Sequence, residues 1–281
     1  MRIAVTSDIH VDKNGPRALE ALAARVRALE PDVLVLAGDV ATPLTTLLEA
    51  LLALRPCARE MVFVAGNHDV WSHPLAQAQG VDAWTRLDRL LPALCLEAGV
   101  HDLDASPVVI DGVGFVGTLG WWDLSMRDEA LGAPASAYVT GEFGGLRWMD
   151  HVFARFRREG EDVPYAVVAA ELRERLRGQL RAVNADRVVG VTHMVQFDSQ
   201  LVHKSHPGWR FCQGFIGHRA LGDILAADER VVLSVCGHTH SPSDQQIGRL
   251  RAVCSPLGYR SEWLGRPDVE AVERAVALVE I

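Results

Sequence analysis

Apolar residues enter this chain in short unbroken runs, and polar residues of a restricted kind follow each run. Met61-Val62-Phe63-Val64-Ala65 leads into Gly66-Asn67-His68-Asp69. Ile3-Ala4-Val5-Thr6 leads into Ser7-Asp8-Ile9-His10, and Val33-Leu34-Val35-Leu36-Ala37 into Gly38-Asp39. Val188-Val189-Gly190-Val191 leads into Thr192-His193, and Val231-Val232-Leu233-Ser234-Val235-Cys236 into Gly237-His238-Thr239-His240. Runs of this length and composition predict buried strands. Ligands of open α/β sheets bind at the carboxyl ends of the strands. Five strands that each deliver Asp, Asn or His at that end therefore predict a site.

The segments between the runs carry helical spacing. Leu19, Leu22, Val26 and Leu29 predict a helix over 16–29, with Pro16 in its first turn, and a second helix follows over 44–54, ended by Pro56. Strand, helix, strand, helix, strand implies right-handed βαβ units and a parallel sheet. Val81, Trp84, Leu87 and Leu91 predict a helix over 76–91. Asp111-Gly112 between two apolar runs predicts a hairpin. From 118 to about 164 periodicity fades, in a stretch holding Trp121-Trp122, several glycines and the Arg147 to Arg158 cluster. Long irregular stretches of this kind are usually functional, so this one is expected to be an insertion near the site. Residues 166–183 predict a helix whose interleaved arginines and acids face solvent. Residues 201–219 form a second loop-like stretch, with His203, Lys204, His206, Trp209, Arg210 and His218. An antiparallel pair is expected around Arg249 to Val253. No repeat or linker divides the chain, and a single domain over 1–281 is expected.

Composition narrows the function classes. A chain of 281 residues can bury a large core. No apolar run approaches the roughly 20 residues that span a bilayer. The chain opens on a strand-like run rather than a secretion leader, so the cytoplasm is the expected location. Five cysteines without a Cys-x-x-Cys pair read as buried thiols of a reducing compartment, with no part in catalysis. A formal net charge of −8 argues against a nucleic-acid polymer as partner, but not against a small phosphorylated substrate held by metal.

Carboxylate oxygens, imidazole nitrogens and one Asn carbonyl make a borderline-hard ligand set, suited to Mn, Fe, Zn or Co. Seven such ligands are too many for one ion that must also hold substrate. They suit two ions sharing a carboxylate, the arrangement that stabilises attacking and leaving oxygens in phosphoester hydrolysis.

Asp8-Ile9-His10, Gly38-Asp39, Gly66-Asn67-His68-Asp69, Thr192-His193 and Gly237-His238-Thr239-His240 resemble, in order, the five signature blocks of calcineurin-like metallophosphoesterases. Ser255-Pro256-Leu257-Gly258-Tyr259 echoes the Asn-Pro-Gly-Tyr-like ending of many bacterial members. The resemblance implies a four-layer α/β/β/α sandwich with two mixed β-sheets. It implies that Asp8, His10 and His240 hold one ion, that Asn67, His193 and His238 hold the other, and that Asp39 bridges. It makes His68 the catalytic residue that assists the leaving group without binding metal. Many relatives orient that His with an Asp three residues after the bridging Asp; here Thr42 stands in its place. The implied activity is a two-metal phosphohydrolase that attacks a small phosphoester, whether a monoester, a diester or a cyclic nucleotide, with metal-activated hydroxide. A protein phosphatase fits less well, because Val40-Ala41-Thr42-Pro43 replaces the Arg-containing segment of that branch. A nuclease is opposed by the charge, and a non-catalytic scaffold by the intact blocks. Substrate contact is open for Trp121, Trp122, His203 and Arg210.

Overall fold

All five apolar runs form strands, and they divide between two sheets. The computed structural model describes residues 1–281. In chain order the strands are β1 (Arg2–Thr6), β2 (Val33–Ala37), β3 (Glu60–Val64), β4 (His101–Asp102), β5 (Val108–Ile110) and β6 (Val113–Thr118). Two small hairpins follow, β7 (Glu142–Phe143) with β8 (Leu146–Arg147) and β9 (Arg157–Arg158) with β10 (Glu161–Asp162). The last strands are β11 (Arg187–Thr192), β12 (Val231–Cys236), β13 (Ser243–Ile247), β14 (Leu250–Cys254) and β15 (Ala277–Glu280). One sheet has the order β15-β1-β2-β3-β4 and the other β13-β14-β12-β11-β6-β5. Both are mixed: β15 runs antiparallel to β1, and β5 and β13 run antiparallel to their neighbours, while the central strands are parallel.

The two-residue period of a strand decides which side chains meet. Ile3, Val5, Val33, Val35, Val62 and Val64 share a core with Val113, Phe115, Val189, Val191, Leu233 and Val235 of the other sheet. The alternate residues Leu34, Leu36, Met61 and Phe63 cluster instead with Leu22, Val26, Leu47 and Leu51 of the helices Pro16–Leu29 and Leu44–Leu54. Leu172, Leu176, Leu221 and Leu225, on the helices Tyr165–Ala182 and Arg219–Ala227, belong to the same helix-side core as Val188 and Val231. No helix is long and apolar enough to cross a membrane.

Most expected elements are where periodicity puts them, and the hairpin turns on Asp111 (φ 48°) and Gly112 (φ 79°). The exception is the helix expected over 76–91. Residues Pro74–Ala78 form a short helix that ends before Gly80, and a second begins at Ala83 with the Asp82 carboxylate capping the Thr85 N–H. That second helix widens to a π-turn over Arg86–Leu90 and continues over Leu91–Ala98. Gly80, in the left-handed region at φ 86°, is what stops the first helix. The stretch 118–164 is not featureless: it carries the helices Ala135–Thr140 and Asp150–Phe153 and both small hairpins.

Candidate metal centre

The donor residues leave their strands through strained backbone. Asp8, His10, Asp39, His238 and His240 have φ of 53°, 44°, 55°, 71° and 51°. Left-handed conformation costs a non-glycine residue roughly 1–3 kcal/mol and persists where the surroundings over-determine it. Here the Asp69 carboxylate does part of this, accepting the N–H groups of Gly66, Asp39, Val40 and Ala41 at 2.7, 2.8, 2.9 and 3.0 Å. Burial and the Asp39 charge push Asp69 up to about 7 against those bonds. A Cβ on Gly66 would collide with Oδ1 and the backbone nitrogen of Asp39, so only glycine lets the two loops meet.

The strand ends converge as the sequence predicts. Asp8, His10 and His240 each bring a donor atom within 4.8 Å of the others, as do Asp39, His193 and His238. His10, Asp39 and His68 form a third such group joining the first two. His10 Nε2 lies 3.6 Å and His193 Nε2 3.5 Å from the same Asp39 oxygen, Oδ2. Asn67 Oδ1 lies 3.1 Å from His193 Nε2, and His240 Nε2 lies 3.4 Å from Asp8 Oδ1. All seven expected ligands and His68 thus meet, and Asp39 stands between the two halves.

The electrostatics fit a cationic occupant. His10 Nε2 and His240 Nε2 face each other at 3.0 Å, and His10 Nδ1 is buried with no hydrogen-bond partner. Burial opposes charge on His193, but the Asp39 carboxylate overrides it and raises the imidazole to about 10. Burial is likewise overridden at His240, where the bonds to Asp8 and Glu262 raise it to about 10. Asp39 is held well below the carboxylate range, since the charges of His193 and His68 outweigh its burial. His10 and His238 are pushed down to about 3 and 4, chiefly by burial. His193 and His240 are thus both shifted toward the charged form, and the converging oxygens and nitrogens suit transition metals.

A cleft of about 330 Å³ opens over these donors, walled by Trp71, Leu146, Trp148, Met149, Trp209 and Tyr259. A larger cavity of about 620 Å³, lined by Trp122, Tyr138, His151 and Tyr165, contains none of the donors. Trp121 is fully buried and packs on Phe156, and Trp122 is 2% exposed; neither lines the cleft. Of the loop 201–219, Trp209, Cys212 and Ile216 reach the cleft. Lys204 instead stacks over Trp209, His206 caps its own helix, and Arg210 pairs with Asp128. Arg147 is the one arginine at the cleft, largely exposed and paired with Glu142.

Three contributors carry no motif that sequence reading singled out. Glu262 accepts from His240 Nδ1 and from the Tyr259 N–H, each at 2.7 Å. Trp71 stacks on His68 with ring centroids 3.7 Å apart. Asp150, buried in the irregular stretch, accepts from Asn67 Nδ2 at 2.9 Å. Tyr259, quoted only as part of the terminal echo, approaches His68 Nε2 at 3.3 Å.

The model of the calcineurin-like phosphoesterase family matches residues 1–242. The chain belongs to that family. Among solved structures it is similar to the phosphopantetheinyl hydrolase of Mycobacterium tuberculosis, with 21% identity, a TM-score of 0.73, and coverage of 99% of this chain and 95% of that one. It is also similar to TT1561 of Thermus thermophilus, with 13% identity, a TM-score of 0.53, and coverage of 99% and 98%. These likenesses are of fold. No curated protein matches. As a calcineurin-like phosphoesterase, the chain has its strand-end cluster where metal-ligating groups are expected.

Proposed function

We propose that this calcineurin-like phosphoesterase hydrolyses a phosphodiester with two transition-metal ions. The observation that carries this reading is the pair of adjoining donor groups joined at Asp39 under an apolar cleft. Asp8, His10 and His240 would hold one ion, Asn67, His193 and His238 the other, with Asp39 shared. Bound ions supply Lewis acidity toward phosphoryl oxygens and a lowered pKa for water.

The chain's own groups do the rest. Glu262 on His240 Nδ1 and the Ala37 carbonyl on His193 Nδ1, at 2.8 Å, leave each Nε2 pointing into the centre. His68 holds a proton beside the reacting phosphate, for the departing oxygen. Trp71 and Tyr259 fix its ring, and the apolar walls exclude water from the leaving group.

A diester is favoured over a monoester because the cleft offers one exposed arginine and no further cation outside the histidines. A monoester dianion would need more compensating charge. The Mycobacterium tuberculosis neighbour makes a phosphopantetheinyl ester the first natural diester to try, and a long arm of apolar and amide groups suits indole walls. The test is hydrolysis of bis(p-nitrophenyl) phosphate, p-nitrophenyl phosphate and a phosphopantetheinyl ester by protein of measured metal content. Diester hydrolysis is expected to exceed monoester hydrolysis by about tenfold or more in kcat/KM, a difference of about 1.4 kcal/mol. Monoester preference would overturn the diester reading, and at most one bound ion at saturation would overturn the two-ion reading.

A further inference from the structure

Asp150 is completely buried, yet it belongs to none of the strand-end blocks. Its Oδ1 accepts from Asn67 Nδ2 at 2.9 Å and from Trp71 Nε1 at 2.7 Å. Its Oδ2 accepts from Trp148 Nε1 at 2.8 Å and from Trp122 Nε1 at 3.2 Å. A carboxylate has about four acceptor sites, and here four N–H groups use them. Indole nitrogen donates only, so three of the partners can do nothing but donate.

We propose that Asp150 is a positioning residue for the half of the centre that contains Asn67. The inference rests on the two-ion reading. With Nδ2 committed to Asp150, the Asn67 carbonyl turns toward His193 Nε2, 3.1 Å away. The flipped amide would press Oδ1 against a carboxylate and aim its NH2 at the donor cluster. Asp150 therefore selects the rotamer that can ligate. It also strengthens the ligand: an amide donating to an anion is polarised, and its oxygen gains negative charge. The amide is the one neutral oxygen ligand among the seven and gains most from such a partner.

The same carboxylate anchors Trp71, whose ring stacks on His68, and Trp148, which walls the cleft. Its own place is set by anchors outside the irregular segment: the Tyr165 hydroxyl, at the start of the helix Tyr165–Ala182, donates to the Asp150 carbonyl at 3.3 Å, and the Phe153 carbonyl accepts the Ser72 N–H at 2.8 Å. This gives the stretch 118–164 a role in the centre that it does not touch with any ligand.

The test is Mn²⁺ binding by equilibrium dialysis to wild type, Asp150→Asn, Asn67→Asp and the exchanged pair Asn67→Asp/Asp150→Asn. Asp150→Asn is expected to weaken one ion by about 10–100-fold and leave the other near wild type. Asn67→Asp alone, although it adds a charged ligand, is expected to weaken the same ion, because it sets two carboxylates face to face. The exchanged pair restores an amide N–H on a carboxylate and is expected to bind that ion more tightly than Asn67→Asp. Asp150→Asn with both affinities within about threefold of wild type would overturn the proposal. So would an exchanged pair no better than Asn67→Asp. If Asp150→Asn fails to fold, the comparison of Asn67→Asp with wild type decides, and binding by Asn67→Asp as tight as wild type overturns the proposal. If wild type binds a single ion, the two-ion reading fails, and the same comparison is made on that ion.

Discussion

The Tyr259 hydroxyl lies 3.3 Å from Nε2 of His68. Burial pushes the Tyr259 phenol up, so it stays neutral, and its oxygen can accept a hydrogen bond from a proton-bearing His68 Nε2. The pair explains how His68 is held although Thr42 stands where many relatives carry an orienting Asp: Thr42 contributes its backbone carbonyl to Arg86, and Tyr259 and Trp71 grip the imidazole instead.

From this, Tyr259→Phe should keep both ions and slow an alkyl phosphodiester more than a nitrophenyl one. His68→Ala should do the same to a larger extent, toward the lower end of the about 10²–10⁴-fold range of general acid catalysis. A proton matters most to a poor leaving group. Rates on the two substrates with metal content measured in parallel check this, and equal slowing of both would mean that His68 only positions phosphate.

Asp39 is the residue both donor groups share through Oδ2. Asp39→Asn is expected to lose both ions and nearly all activity, whereas His240→Ala should lose one ion first. Elemental analysis of dialysed protein separates these outcomes. Retention of two tightly bound ions by Asp39→Asn would contradict the shared role.

Metal binding should release protons. His193 and His240 sit near 10 without metal, so both carry a proton at neutral pH that a metal must displace. Affinity should therefore rise between pH 6 and 8, by about tenfold per pH unit for each proton released. The metal-free protein should behave in the opposite sense. Its imidazoliums, raised from an ordinary 6.5 to about 10, contribute stability that is full below 6.5 and lost as pH rises toward 10. Calorimetry in buffers of different ionisation enthalpy measures the protons, and pH-independent binding would refute the scheme.

All five cysteines are free and buried. Cys212 borders the cleft, but burial pushes its thiol up to about 11, where little thiolate forms. Cys212→Ala should leave hydrolysis near wild type, because a thiol that stays protonated supplies no nucleophile. Loss of activity with both ions retained would give the thiol a role.

What the sequence by itself determined is the floor of the site. Each donor follows a buried strand directly, and parallel strands carry their carboxyl ends to one edge of a sheet. Asp8, Asp39 and Asn67 therefore share one edge and His193, His238 and His240 another, and the packing of the two sheets brings those edges together. The strands, the helices and their βαβ order were legible because strand and helix periods are local, whereas the two mixed sheets were expected only from the family resemblance. Only the tertiary structure decided the walls and the supports. The sequence leaves substrate contact open for Trp121 and Trp122; in the structure one is core and the other an indole on Asp150, while Trp71, Trp148 and Trp209 line the cleft. Asp150 reaches Asn67 across 83 residues and Glu262 reaches His240 across 22. Neither lies on a repeating pattern, because each sits in a single short helical turn, too short for a period to set the direction of a side chain. The conformation of such a turn comes from long-range hydrogen bonds and packing, and those exist only once the chain has folded.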